Sequence, residues 1–333
     1  MSELSNMRVL VTGGAGFIGS WIVQGLVEKG ARVRVYDNFS SGTEENLHGL
    51  DVEIVNGDIL DFDSLKTAML GCDMVSHHAA QLEITTCIRS PQHDLRVNAF
   101  GTLNVLKAAE IVGVKKVVVA SSACVYGQAQ YIPTDEKHPT NPNWAYGVSK
   151  LAAEKYCHIF SEMTGIPTVC LRYGIVYGPR EWYGRVLTIF LKRALKNLPA
   201  VVFGDGSQKR DFVYVEDAAQ LHNLALVTDT GMHSVFNVGT GIGTRIVDLA
   251  ELVTEICSLR TPPIFEDVPE GGWSSIVEGG RMRLPNELQQ MVLDPSLAGK
   301  VLGFRPRTSL SDGLSEEWRW LRNNPERWKK MSY

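Results

Sequence analysis

The chain of 333 residues is 44% hydrophobic and carries 33 Lys and Arg against 37 Asp and Glu, a net charge of −4. That suffices for one large domain or two moderate ones, and the lack of a basic tail or stripe argues against nucleic-acid and anionic-membrane partners. The six cysteines show neither C-x-x-C nor metal-ligand spacing, no apolar run nears the roughly 18 residues that span a bilayer, and the polar start Met1-Ser2-Glu3 is no signal peptide, so a cytoplasmic protein with reduced thiols and no metal is expected.

The first predicted strand is the apolar run Val9-Leu10-Val11-Thr12. Gly13, Gly16 and Gly19 follow at G-x-x-G-x-x-G spacing, and then a helix-like pattern over residues 20–29. Glycines let the backbone turn tightly against a pyrophosphate, whose charge then sits at the positive end of the next helix. A second strand at 31–36 ends at Asp37, about twenty residues on, where a carboxylate accepts both ribose hydroxyls of a dinucleotide. The same carboxylate repels a 2′-phosphate, so NAD is expected over NADP. Arg34, by strand alternation, faces away from Asp37. Phe17, Ile18, Asn38, Ser41 and Gly42 flank these positions and are assigned to the same cofactor site.

Strand-like and helix-like runs then alternate: strand 52–55, helix 64–70, strand 74–76, helix 99–112, strand 116–120, helix 145–164, strand 168–171. Such alternation predicts an α/β fold, a Rossmann-type doubly wound parallel sheet with helices on both faces and ligands at the carboxyl ends of its strands. After Pro179 the composition changes, with Trp182, Tyr183, a basic helix-like stretch and several Pro/Gly turns, and a smaller, interleaved α/β substrate-binding lobe is expected to begin. Runs at 213–215 and 235–238 are expected to return to the first layer as strands. The expected division is therefore 1–179, with returning segments at about 208–241, and a second lobe within 180–333, mainly 180–207 and 242–333.

Helix 145–164 holds Tyr146 and Lys150, one turn apart. Removing a hydride from an alcohol carbon requires the hydroxyl proton to leave as well, and a free Tyr, with a pKa of about 10, is mostly protonated at neutral pH. A lysine on the same helix face is expected to favour phenolate and bring the tyrosine toward its working range. Ser122, after the strand at 116–120, would orient the reacting oxygen and help pass its proton to Tyr146.

With these residues in view, the chain resembles the extended short-chain dehydrogenase/reductase family and, within it, the nucleotide-sugar epimerases and dehydratases. The resemblance rests on the Gly-rich turn, His77-His78-Ala79-Ala80, Asn98-Ala99-Phe100-Gly101-Thr102, Ser121-Ser122-Ala123-Cys124-Val125-Tyr126-Gly127, Tyr146 to Lys150, Leu171-Arg172-Tyr173, Val176-Tyr177-Gly178-Pro179-Arg180 and Arg210-Asp211-Phe212, in family order. It implies that Asp58 and Ile59 flank the adenine, that Ala79, Ala80, Gln81 and Asn98 line the cofactor cleft, and that Tyr173 lies near the nicotinamide. Tyr146 and Lys150 would also touch the cofactor. On the substrate side it implies Arg210 on a diphosphate, with Glu83, Ser122, Arg185 and Val202 nearby; Trp182 and Tyr183 fall on the same loop as Arg185. The helices at 99–112 and 145–164 match the pair that joins relatives into homodimers.

Two departures bear on the reaction. Family members that eliminate water or carbon dioxide carry acids directly after the Ser122 position, where this chain has Ala123 and Cys124. A 4-epimerase acting on a nucleotide-diphosphate sugar, probed first as a UDP-sugar, is therefore the leading expectation: oxidation at C4, rotation of the keto sugar and hydride return. Cys124, with no cation beside it in sequence, reads as a buried filler. Ile175, where family members often place an asparagine on the sugar nucleotide, and Glu83, in a loop that usually carries small or uncharged residues facing the sugar, also depart from the pattern and count against plain UDP-glucose. Alternatives are a dehydratase or decarboxylase using Glu83, a simple NAD-dependent dehydrogenase, and an NAD-sensing protein without catalysis.

Overall fold

Val, Ile and Leu runs too short for helices form strands that, inside the sheet, are buried on both faces, the signature of a parallel sheet. In the computed structural model, which describes residues 4–181 and 183–329, the chain runs β1 (Arg8–Thr12), α1 (Phe17–Glu28), β2 (Arg32–Asp37), β3 (Val52–Asn56), α2 (Phe62–Met69), β4 (Met74–His77), α3 (Ile84–Arg89), α4 (Pro91–Leu95), a π-turn at Arg96–Phe100, α5 (Gly101–Val112), β5 (Lys116–Ser122), α6 (Ala145–Thr164) and β6 (Thr168–Tyr173). The assignment of Trp182 to a substrate loop, and the start at residues 1–3, fall outside the described residues. Among those described, no helix is long and apolar enough to cross a membrane.

The main sheet has seven parallel strands. Strand alternation divides its side chains between two cores. Val9 and Val11 of β1, Val118 of β5 and Val169 and Leu171 of β6 face α1, with Ile22, Val23 and Leu26. Leu10, Val117, Val119 and Cys170 face the other way, against Leu65, Leu106, Ala109 and Cys157 of α2, α5 and α6.

After β6 the chain leaves the main sheet through β7 (Ile175–Tyr177) and continues through α7 (Val186–Leu195), β8 (Val201–Phe203), β9 (Lys209–Arg210) and β10 (Phe212–Tyr214). The chain then returns through α8 (Val215–Val227), which packs on α1, and β11 (His233–Val238), which pairs with β6. The order of the main sheet is thus β11-β6-β5-β4-β1-β2-β3. Beyond it lie β12 (Thr244–Arg245), α9 (Ile246–Ile256), β13 (Ile264–Glu266), β14 (Gln290–Met291), α10 (Ser296–Leu302) and α11 (Leu310–Asn323), with a core of Phe190, Leu191, Val202, Phe212, Leu249 and Leu314.

Of the two strands expected to return to the first layer, only that at 235–238 does so. β10 instead pairs with β7 in a separate two-stranded sheet, and Val215 begins a helix. The reason is local: at Gly174 the backbone N–H donates to Val238 O, and the next, at Ile175, donates to Asp211 O, so the chain leaves the main sheet and picks up β10. The fully buried Asp211 fixes that exchange by accepting from the backbone N–H groups of Thr240, Gly241 and Leu293.

Candidate active site

Strand order reverses between β1 and β4, and there a cleft of about 710 Å³ opens across the carboxyl ends of the strands. At its middle lies the Gly-rich turn. Gly13 has φ +69°, and a Cβ there would fall 2.5 Å from Ala79 N, while one on Gly19 would fall 2.1 Å from Gly13 O. The turn is therefore packed too tightly for any side chain at those positions. Helix α1 starts at it with no side-chain cap and no acid in its first turn, which leaves its positive end free for an anion. Phe17 and Ile18 line the cleft beside the turn; Gly42 does not, but packs behind it, where an added Cβ would come 2.7 Å from Ala15 C.

Asp37 ends β2 on the cleft wall, 7% exposed, and accepts from Ala15 N and Phe39 N, both at 2.9 Å. It caps the Gly-rich turn while each oxygen keeps lone-pair capacity toward the cleft. Burial raises its pKa, and the two backbone bonds oppose that rise. Arg34, held by Ala68 O at 2.6 Å and paired with Glu53, is turned away from the cleft. Asn38 donates to Asp58 at 3.0 Å, and with Ser41 and Ile59 these residues line the same end. Ala79, Ala80 and Gln81 line the opposite stretch. Asn98 lies behind it, 1% exposed, with Oδ1 accepting from Gln81 N and Nδ2 donating to Gln81 O, so that it shapes the cleft by pinning the Gln81 backbone on both sides.

Ser122, Tyr146, Lys150 and Tyr173 meet at the third end, on β5, α6 and β6. The Ser122 hydroxyl accepts from Cys124 N at 3.1 Å and hydrogen-bonds Tyr146. Lys150, 5% exposed, donates to Ala120 O at 2.9 Å, with Nζ 6.0 Å from the Tyr146 ring centroid. The sequence predicts a tyrosine pKa lowered by the lysine. In the structure burial dominates and raises the Tyr146 phenol, with the Ser122 bond opposing, and burial lowers Lys150 to about 8. Cys124 lines the cleft as a thiol, its pKa raised by burial.

On the substrate side, Arg185 donates to Glu181 at 2.7 Å and to Val176 O at 2.8 Å. Arg210 pairs with neither Asp211 nor Asp205 but faces Glu287 at 3.6 Å, which also holds Arg283 at 3.0 Å. The Glu83 carboxylate accepts from the Thr85 and Thr86 hydroxyls at 2.8 and 2.7 Å and lines the cleft. Val202 does not reach it. Strand alternation sends Val202, fully buried, into the core with Phe190, Leu191 and Leu249, and its neighbours Val201 and Phe203 to the cleft.

Sequence reasoning missed His78, Glu181, Arg281, Arg283 and Glu287, all of which line the cleft. The last two arrive because β14 pairs with β9, Gln290 opposite Lys209, and no local pattern announces that pairing.

Comparison with known proteins agrees with this geometry. The profile of a family described as the NAD dependent epimerase/dehydratase family matches residues 9–239. UDP-glucose 4-epimerase from Mycolicibacterium smegmatis is 33% identical over 96% of this chain and 100% of its own. The structure of UDP-glucose 4-epimerase from Thermotoga maritima with UDP-glucose superimposes with a TM-score of 0.87 at 34% identity, covering 96% of this chain and 100% of that one. That of the Thermus thermophilus UDP-glucose 4-epimerase complex with NAD gives 0.83 at 34%, covering 95% and 99%.

Proposed function

The chain belongs to the NAD dependent epimerase/dehydratase family, and from that membership and the cleft we propose a nucleotide-sugar 4-epimerase acting on a UDP-sugar. One observation carries the reading: Ser122, Tyr146 and Lys150 line the same cleft as Asp37 and the glycine turn. The residues present fit NAD, since the glycine turn leaves no room for side chains, the α1 amino end is uncapped, and Asp37 keeps free lone pairs. The turn and α1 would hold the pyrophosphate, Asp37 the ribose, Asp58 and Ile59 the adenine, and Lys150 and Tyr173 the nicotinamide half. When bound, NAD supplies the hydride acceptor and donor. Tyr146 would take the sugar hydroxyl proton and give it back, Ser122 would orient that oxygen, and Lys150 would favour the charged phenol. Arg185 and Arg210 would face the diphosphate.

Epimerisation is favoured over elimination because Ala123 and the Cys124 thiol supply no second acid or base, and the Glu83 carboxylate is engaged by two threonines. Lobe division at 1–179 plus 208–241, cytoplasmic placement with six free cysteines, and a homodimer belong to the same proposal. The dimer is supported by apolar side chains left in water on α5 and α6 and the turn before them: Phe100, Ile111, Val148, Ile159 and Met163 are each 48% or more exposed. Sedimentation equilibrium at micromolar concentration should return a dimer mass, and a monomer would refute it. Incubation with UDP-, GDP- and dTDP-sugars, read by NMR, should give a C4 epimer without net NADH; a product lacking water or carbon dioxide would favour the dehydratase reading instead.

Asp37→Ala tests the cofactor. Loss of charge-assisted hydrogen bonds costs about 1.5–3 kcal/mol, and the Ala15 and Phe39 amides lose their acceptor too. NAD affinity should fall and the gap to NADP should narrow. Titrating both cofactors into apo wild type and mutant checks this, and an unchanged ratio would make Asp37 a structural cap alone.

A further inference from the structure

Tyr173 ends β6 directly across from Ser122, at the redox end of the cleft. Its hydroxyl lies 3.1 Å from Nε2 of His78, a cleft residue to which the mechanism above gives no role. Nδ1 of the same ring lies 3.2 Å from Ser76 Oγ on β4. Behind it, the fully buried ring of His222 packs edge-on at 4.7 Å and 72°, leaving His78 little freedom to turn.

The partners decide where the protons sit. Burial and the Lys150 charge hold His78 down to about 3, so the ring is neutral and has one donor nitrogen and one acceptor. Burial alone raises Tyr173, which keeps its proton. A phenol is a strong donor and a weak acceptor, and an unprotonated imidazole nitrogen is a strong acceptor. The favoured arrangement is Tyr173 O–H donating to Nε2 and Nδ1–H donating to Ser76 Oγ. The Tyr173 proton then points into the protein, and the oxygen lone pairs are what the cleft sees.

We propose that His78 is a positioning residue for the cofactor: by accepting the Tyr173 proton it presents the Tyr173 oxygen as an acceptor for the carboxamide N–H of nicotinamide, which fixes the rotation of that ring. This rests on the NAD reading above. It goes further, because it assigns the selection of a hydrogen-bond donor at one end of the ring to a histidine that acts through Tyr173.

Dinucleotides that differ only in that group test it on the full chain by equilibrium binding. NAD and thionicotinamide adenine dinucleotide carry the N–H, and 3-acetylpyridine adenine dinucleotide has a methyl in its place. Wild type should bind the two donors about 5- to 10-fold more tightly than the acetyl analogue, the range of one net hydrogen bond. Tyr173→Phe and His78→Leu should each bring that ratio near one. His78→Gln, whose side-chain carbonyl accepts the same proton, should preserve it. A merely structural loss would weaken all three dinucleotides together and leave the ratio intact, and an intact ratio in His78→Leu overturns the proposal. Should His78→Leu not fold, the ¹⁵N spectrum of wild-type His78 decides: a protonated Nδ1 and bare Nε2 are expected, and the opposite tautomer overturns it. No NAD binding by wild type would remove the NAD reading itself, whereas NAD binding without discrimination removes only the role given to His78.

Discussion

Tyr146→Phe should leave NAD binding close to wild type and lower turnover roughly 10²- to 10⁴-fold, the range for loss of a positioned acid/base group. Phe fills the same space, and the groups proposed to hold the cofactor, the glycine turn and Asp37, are untouched. Only the titrating oxygen goes. Burial holds that phenol protonated, so charge can develop on it only with help from the Ser122 bond and a nearby cation. A buried unit charge about 6 Å away is worth about 3 kcal/mol at an effective dielectric near 20, and Lys150 stands at 6.0 Å from the ring centroid. Lys150→Ala should therefore be at least as damaging, since it removes both that charge and the tie to Ala120 O. Stopped-flow turnover with NAD titrations measures the two effects separately, and near-native turnover in Tyr146→Phe would end the proposed mechanism.

Arg172→Leu should cost about 3–5 kcal/mol of folding stability, the range for stranding one member of a buried ion pair. Arg172 on β6 meets Glu154 on α6 through two bonds of 2.9 and 2.7 Å, with side chains only 6% and 4% exposed. Its guanidinium also stacks on Tyr126 at 4.7 Å. The Leu variant would leave the Glu154 carboxylate in the core with, among the described residues, the Ser121 hydroxyl as its remaining side-chain hydrogen-bond donor. Ser121 precedes Ser122, so the pair also braces the strand end that carries part of the proposed catalytic set. Urea unfolding reports the loss, and a change below about 1 kcal/mol would show that the pair contributes little. The double variant with Glu154→Leu should recover part of the stability, because replacing both members with apolar groups removes the stranded charge.

What could be read from sequence was whatever is local. The glycine turn followed by Asp37, and Tyr146 one turn from Lys150, are each set by spacing along one or two elements, and the structure places them where that spacing implies. The parallel sheet was legible because the alternation of short β-branched runs with longer helical ones repeats many times. What escaped depends on pairings distant in sequence. His78 gains its partner Tyr173 across 95 residues, and Arg283 and Glu287 enter the cleft through the β14–β9 pairing. The rise in the Tyr146 phenol pKa comes from burial, which no Tyr-x-x-x-Lys pattern reveals. β10 looked like a strand of the main sheet because its apolar pattern is the same; only the exchange of partners at Gly174 diverts it. Val202 differs from its neighbours by strand register alone, a single-residue matter that decides cleft or core.

In the proposed epimerisation a hydride leaves sugar C4 and returns to the same carbon from the opposite side. The test is to incubate the protein and NAD in ordinary water with the UDP-sugar it turns over, deuterated at C4, and to read the product by NMR and mass spectrometry. The C4 epimer should keep its deuterium at C4, with no net NADH. Deuterium lost to solvent or moved to another carbon, or a product lighter by water, would contradict it.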